Sequence, residues 1–136
     1  MAARPCGLYP NRYNLTDERT RRPLFWEGSA KRDFKRFPEA VQKDMGVALF
    51  VVQIGGTPPS AKPWKGLGPG VHELIEDHRG DTYRAVYTVR IADSVHVLHA
   101  FQKKSKSGIA TPKMDVDVVE RRLKTLLKRY RDHNEL

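Results

Sequence analysis

The connections between Val71 and Gln102 leave that part of the chain little choice of fold. Three segments rich in β-branched and aromatic residues, Val71–His78, Thr82–Arg90 and Ser94–Gln102, are joined by Arg79-Gly80-Asp81 and by a short link around Ala92-Asp93. A parallel pair needs a crossover of a dozen residues or more, so these strands form an antiparallel meander. In the middle strand Tyr83, Ala85, Tyr87 and Val89 share one face, while Arg84, Val86, Thr88 and Arg90 share the other. The first face is apolar enough to be covered by helices. The second carries two arginines.

Helical patterns flank the meander. Gly28-Ser29 reads as a helix start with Ser29 as N-cap, and Ala30, Phe34 and Phe37 then recur at helical spacing. Pro38 opens a second helix at its first position. Its stripe is Val41, Met45, Ala48, Leu49 and Val52, widened by Val47, Phe50, Val51 and Ile54, and Gly55-Gly56 ends it. This helix is expected to be the most buried. Upstream, Pro23–Gly28 ("PLFWEG") fits a short first strand. Thr57–Gly70, dense in Pro and Gly, reads as a loop. Thr111-Pro112 starts a last amphipathic helix as N-cap and N1, with Val116, Val119, Leu123, Leu126 and Tyr130 on its apolar face. The expected class is therefore α+β: a small antiparallel sheet, an N-terminal helical hairpin on one face, and a C-terminal helix.

The chain of 136 residues suits one domain. Residues 1–22 show no period and are expected to form a loosely ordered extension, with the folded domain spanning 23–136. A single cysteine excludes an internal disulfide and a Cys-based zinc site, and fits a reducing compartment. No apolar run approaches membrane-spanning length and no signal-peptide core begins the chain, so a cytoplasmic protein without membrane association is expected.

Charge narrows the function. The net charge is +9 and the pI about 9.9, which implies attraction to a polyanion. The excess belongs to the body, because residues 111–136 alone hold seven basic against five acidic side chains. The five histidines, His72, His78, His96, His99 and His133, lack metal-motif spacing, and neither a metal nor a cofactor is expected. Arg79-Gly80-Asp81 reads as a hairpin turn.

An arginine in mid-strand is costly unless it meets an anion or solvent. Arg84 either pairs with Glu73 or Glu76 across the sheet or serves a ligand. Lys62 and Lys65 flank Trp64, and Lys103, Lys104 and Lys106 end the last strand. Such clusters are either solvated surface or a positive groove beside an exposed Trp, which suits a nucleic-acid backbone with a stacking site. RNA cleavage there needs no metal. The 2′-hydroxyl attacks the adjacent phosphorus, cations neutralise the developing charge, and a titratable side chain moves the proton.

The segments "TYRAVYTV" and "VHVLHAFQKKSKSGIATPKMDVDVVERRL" resemble the RelE/ParE superfamily of toxins from bacterial type II toxin–antitoxin pairs. Within it they are most similar to the phage-related, HigB-like group. The group's hallmark is a strand ending H-x-F-x-K-K, then T-P-K and a helix; here it is His99, Phe101, Lys103, Lys104, Thr111, Pro112 and Lys113. The resemblance covers roughly 23–131. It implies a small α/β toxin that cleaves mRNA on the ribosome and is neutralised by a cognate helix-turn-helix antitoxin.

By position, Arg84 matches the strand arginine that contacts the scissile phosphate, and Lys103 or Lys104 a second basic catalytic residue. Lys62, Trp64, Lys65, Arg79, Arg90 and Lys106 are the expected RNA-binding residues. Two departures stand out. His72, Glu73 and Leu74 occupy the first meander strand where several relatives carry lysines. Met114 and Asp115 stand where a tyrosine is expected. The resemblance leaves His72 and His99 as candidates for proton transfer, His72 favoured because that strand lines the groove in relatives. The same fold also implies an alternative, inhibition of DNA gyrase in the manner of ParE. A non-catalytic basic nucleic-acid-binding prophage protein is the other.

Overall fold

The computed structural model describes residues 21–103 and 111–134. The N-terminal extension, apart from Arg21 and Arg22, and the positions of Lys104 and Lys106 lie outside the described residues. The two described arginines are attached to the domain. The Arg22 amide donates to the Gln53 carbonyl at 2.9 Å, and the Gln53 side-chain amide donates back to the Arg22 carbonyl.

The elements run β1 (Leu24–Trp26), α1 (Ala30–Phe34), α2 (Glu39–Gln53), β2 (Ala61–Pro63), β3 (Val71–His78), β4 (Asp81–Thr88), β5 (Val95–Lys103) and α3 (Lys113–Asn134). They build a five-stranded sheet in the order β1-β5-β4-β3-β2, with β1 parallel to β5 and the other pairs antiparallel. The meander is as expected. Its first turn is two residues long, Arg79 and Gly80, both with positive φ, which matches the right-handed twist of the strands it joins.

Helices cover both faces. On one, Phe34, Phe37, Val41, Met45, Leu49 and Val52 of the hairpin pack on Leu74, Tyr83, Ala85, Tyr87, Val95, Val97 and Ala100. On the other, Val119, Leu123 and Leu126 of α3 meet Val71, Val86, Leu98 and Phe101. Burying each such side chain contributes about 1.5–3 kcal/mol, and this, more than helix propensity, holds α3 in place. The arginine-bearing face is therefore largely roofed.

Several local expectations need correcting. The Thr57–Gly70 loop contains a strand, β2, whose Lys62 sits opposite Glu73. Its Trp64 is buried rather than exposed, at 7 % accessibility, because its amide bonds to the Val71 carbonyl and the indole turns into the α3-side core. Pro38 and Pro112 stand one step outside their helices, each accepting the i+4 amide of the first turn on its carbonyl. Ser29 occupies the N-cap position, but its hydroxyl bonds to the Asp33 carboxylate instead of a backbone amide. Val47 and Ile54 face solvent, since a stripe as wide as the one they extend exceeds what one sheet face can cover.

Candidate nucleic-acid interface

One irregularity decides which side chains share a face. Val95 and Val97 point to the helical hairpin, and simple alternation would send His99, Phe101 and Lys103 the same way. A bulge intervenes, because Tyr87 pairs with Val97 while its neighbour Val86 pairs with His99, leaving Leu98 as the extra residue. The end of β5 is thereby turned over. Phe101 lies opposite Arg84, Lys103 opposite Thr82 and His99 opposite Val86, all on the α3 side.

The same face of β3 presents Val71, Glu73, Ile75 and Asp77. Arg84 Nη1 donates to Glu73 Oε1 at 2.9 Å, diagonally across the ladder, and both side chains are largely buried, at 17 % and 13 % exposure. The pairing offered by the sequence is thus present, with Glu73 and not Glu76. Glu76 lies on the opposite face, where burial, Asp44 and Asp77 raise its pKa. The ion pair leaves Arg84 Nε buried without an acceptor.

A cleft of about 420 Å³ opens over this pair, lined by Lys62, Pro63, Trp64, Lys65, Glu73, Arg84, Thr111 and Val116. Strand β2 and the turn after it supply the lysines, β4 the arginine, and the start of α3 the opposite wall. So the structure brings together Lys62, Trp64, Lys65 and Arg84. Trp64 contributes a packed wall here rather than a free stacking plate.

Lys103 is buried on the same face, two residues beyond Phe101. His99 is also buried, its Nε2 2.8 Å from Asp115 Oδ1, its ring stacked on Phe101 at 5.0 Å, and its Nδ1 without a partner. Asp115, in the place where a tyrosine was expected, ties the first turn of α3 to β5.

Other candidates fall elsewhere. His72 pairs with Tyr87 on the hairpin side and stacks on it at 5.6 Å, so it cannot share the cleft with Arg84. Of the two histidines weighed for proton transfer, only His99 therefore lies on Arg84's face of the sheet. Tyr87 itself is pushed up to about 12 by burial. Arg79 sits at the β3–β4 turn and Arg90 past the other end of β4, where its guanidinium donates to the Leu67 carbonyl. Neither lines the cleft. Among the described residues no three His, Cys, Asp or Glu side chains converge as a metal centre would require, and no helix is long and apolar enough to cross a membrane.

A second polar cluster anchors α3. Glu27 accepts from Arg129 and lies 2.8 Å from His96 Nδ1. Burial works to raise the Glu27 pKa, but these hydrogen bonds and charges outweigh it and hold it below the usual carboxylate value. Arg122 donates to the Leu98 carbonyl at the bulge and to the Ser29 hydroxyl.

The family model described as Phage derived protein Gp49-like (DUF891) matches residues 32–124, from within α1 through α2 and the meander to the middle of α3. The chain belongs to this Gp49-like family. Among solved structures, the isolated E. coli RelE toxin is similar at 17 % identity and a TM-score of 0.50, over 74 % of this chain and 97 % of that one. A free double arginine-to-alanine variant of E. coli RelE is similar at 17 % identity and a TM-score of 0.51, over 77 % and 97 %. The fold of this Gp49-like protein is thus RelE-like. No curated protein matches the chain.

Proposed function

We propose that this protein is the toxin of a type II toxin–antitoxin pair and acts in the cytoplasm as a ribosome-dependent, metal-independent mRNA endonuclease. The observation that carries this is the cleft that Arg84, Lys62 and Lys65 line together, on the sheet face shared by His99 and Lys103. The RelE-like fold and the Gp49-like family support it.

In this reading the cations hold an mRNA phosphate and stabilise the charge that grows on its oxygens. The 2′ oxygen bonds to the adjacent phosphorus, the bond to the 5′ oxygen breaks, and a cyclic 2′,3′-phosphate and a 5′-hydroxyl result. Glu73, the carboxylate lining the cleft, takes the 2′-hydroxyl proton. His99, oriented by Asp115, returns a proton to the departing oxygen. A cognate helix-turn-helix antitoxin would neutralise so basic a surface.

The test is inducible expression of wild type and Arg84→Ala in bacteria, following methionine and thymidine incorporation and mapping mRNA ends. Early loss of methionine incorporation with new mRNA ends, both absent in a folded Arg84→Ala variant, is expected. Full toxicity of that variant would remove Arg84 from the mechanism. Loss of thymidine incorporation first, with intact mRNA, would move the target to gyrase.

A further inference from the structure

We infer that Glu73 is a built-in competitor for the phosphate seat: it occupies Arg84 until an RNA phosphate displaces it, and so holds down the affinity of the cleft for free RNA. The inference rests on the proposed function for the identity of the polyanion, but concerns binding rather than cleavage.

The ion pair has the features of a placeholder. It makes one bond, Nη1 to Oε1 at 2.9 Å, where a guanidinium and a carboxylate facing each other squarely make two. The cause is the register. Glu73 faces Val86 and Arg84 faces Ile75, so the two side chains meet diagonally and the fork cannot close. Arg84 Nε is left shielded from water without an acceptor, a costly arrangement for a donor on a charged group. A phosphate brings more oxygens than a carboxylate and can approach from the open side of the cleft. By displacing Glu73 it can therefore reach guanidinium donors that the single bond to Glu73 leaves unused.

The surroundings point the same way. Among the described residues that line the cleft, Glu73 is the one acidic side chain, against Lys62, Lys65 and Arg84. Lys62 stands directly opposite it in the β2–β3 ladder and gives the displaced carboxylate a cation to turn to. The mid-strand carboxylate thus neutralises Arg84 in the free protein without blocking the lysines that draw the polyanion in. A cleft so arranged binds stray RNA weakly and engages fully only where a backbone is pressed into it.

The experiment measures binding of the purified full chain to a single-stranded RNA oligonucleotide across a salt series, for wild type, Glu73→Gln, Arg84→Ala and the double variant. Glu73→Gln should bind on the order of ten-fold more tightly, the scale of one charge-assisted hydrogen bond. In the Arg84→Ala background the same substitution should change affinity far less. A folded Glu73→Gln that binds no more tightly overturns the inference. So does an equal gain with and without Arg84, which would make Glu73 a diffuse charge effect.

For the wild-type chain, inorganic phosphate should shift the Arg84 Nε–H resonance, and an unmoved signal counts against the inference even if the variants misfold. Failure of the nuclease reading is seen separately, as growth arrest by the wild-type chain with intact mRNA.

Discussion

Replacing Trp64 by alanine separates two pictures of the cleft. As a free stacking platform, Trp64 would be lost with a stability change within about 0.5 kcal/mol, as for most surface positions. In the structure it is 93 % buried, in one cluster with Val71, Val86, Leu98 and Phe101 and the α3 residues Val119, Leu123 and Leu126. Truncating a core Trp to Ala costs about 3–5 kcal/mol. With an unfolding entropy of about 2.1 cal/mol/K per residue, a chain of 136 residues loses roughly 10–17 °C of melting temperature. Thermal unfolding followed by circular dichroism measures this. The remaining Trp26, 5.1 Å from Phe34, reports tertiary packing on the hairpin side by fluorescence. Trp64→Phe, which keeps a ring in the core, should recover much of the loss. A Trp64→Ala melt within about 2 °C of wild type would refute the burial argument. If RNA binding fell while the melt stayed unchanged, Trp64 would again be a surface stacking residue.

Two further outcomes test how α3 is held. Because the Glu27 pKa is depressed in the folded state, its contribution to stability is present above the ordinary carboxylate value of 4.5 and is lost as pH falls through the lower folded value. Denaturation midpoints measured from pH 7 downward should therefore decline more steeply below 4.5 in wild type than in Glu27→Gln; identical slopes would exclude this carboxylate as the cause. Gly28 has φ +55°, and an added Cβ would lie 2.7 Å from Arg122 Nε, so Gly28→Ala must dislodge Arg122 from the Leu98 carbonyl and the Ser29 hydroxyl. A loss of about 2 kcal/mol is expected, from the left-handed backbone and the displaced hydrogen bonds together. In an Arg122→Ala background the loss should shrink, and a denaturant-unfolding cycle over the four proteins measures the difference.

The parts of the molecule legible in the sequence are those where one physical rule acts alone. The short connections and the period-two alternation in β4 gave the meander and the opposite facing of Tyr83 and Arg84, and both hold, although the turn read as Arg79-Gly80-Asp81 is only Arg79-Gly80 and Asp81 already pairs with His78. Where two rules compete, composition misleads. Trp64 sits among Pro, Gly and Lys, which read as exposed loop, yet one backbone bond to Val71 folds the segment over the end of a core and buries the ring. Val47 and Ile54 continue a helical stripe beyond the part that the described sheet face covers, and both are exposed.

The site depends on the subtlest of these conflicts. Leu74 is a fully buried anchor under the hairpin, so its strand neighbours Glu73 and Ile75 must face α3, and Glu73 rather than Glu76 meets Arg84. On β5 the same rule, run forward from Val95 and Val97, would place His99, Phe101 and Lys103 beneath the hairpin, away from Arg84. Leu98 breaks the period: as the extra residue of the bulge it enters the α3-side core, and the Arg122 guanidinium accounts for its carbonyl. Every residue after it is reversed. The segment His99-x-Phe101-x-Lys103 therefore reaches the cleft side of the sheet through one inserted leucine, whose side chain reads in sequence as one more apolar strand position.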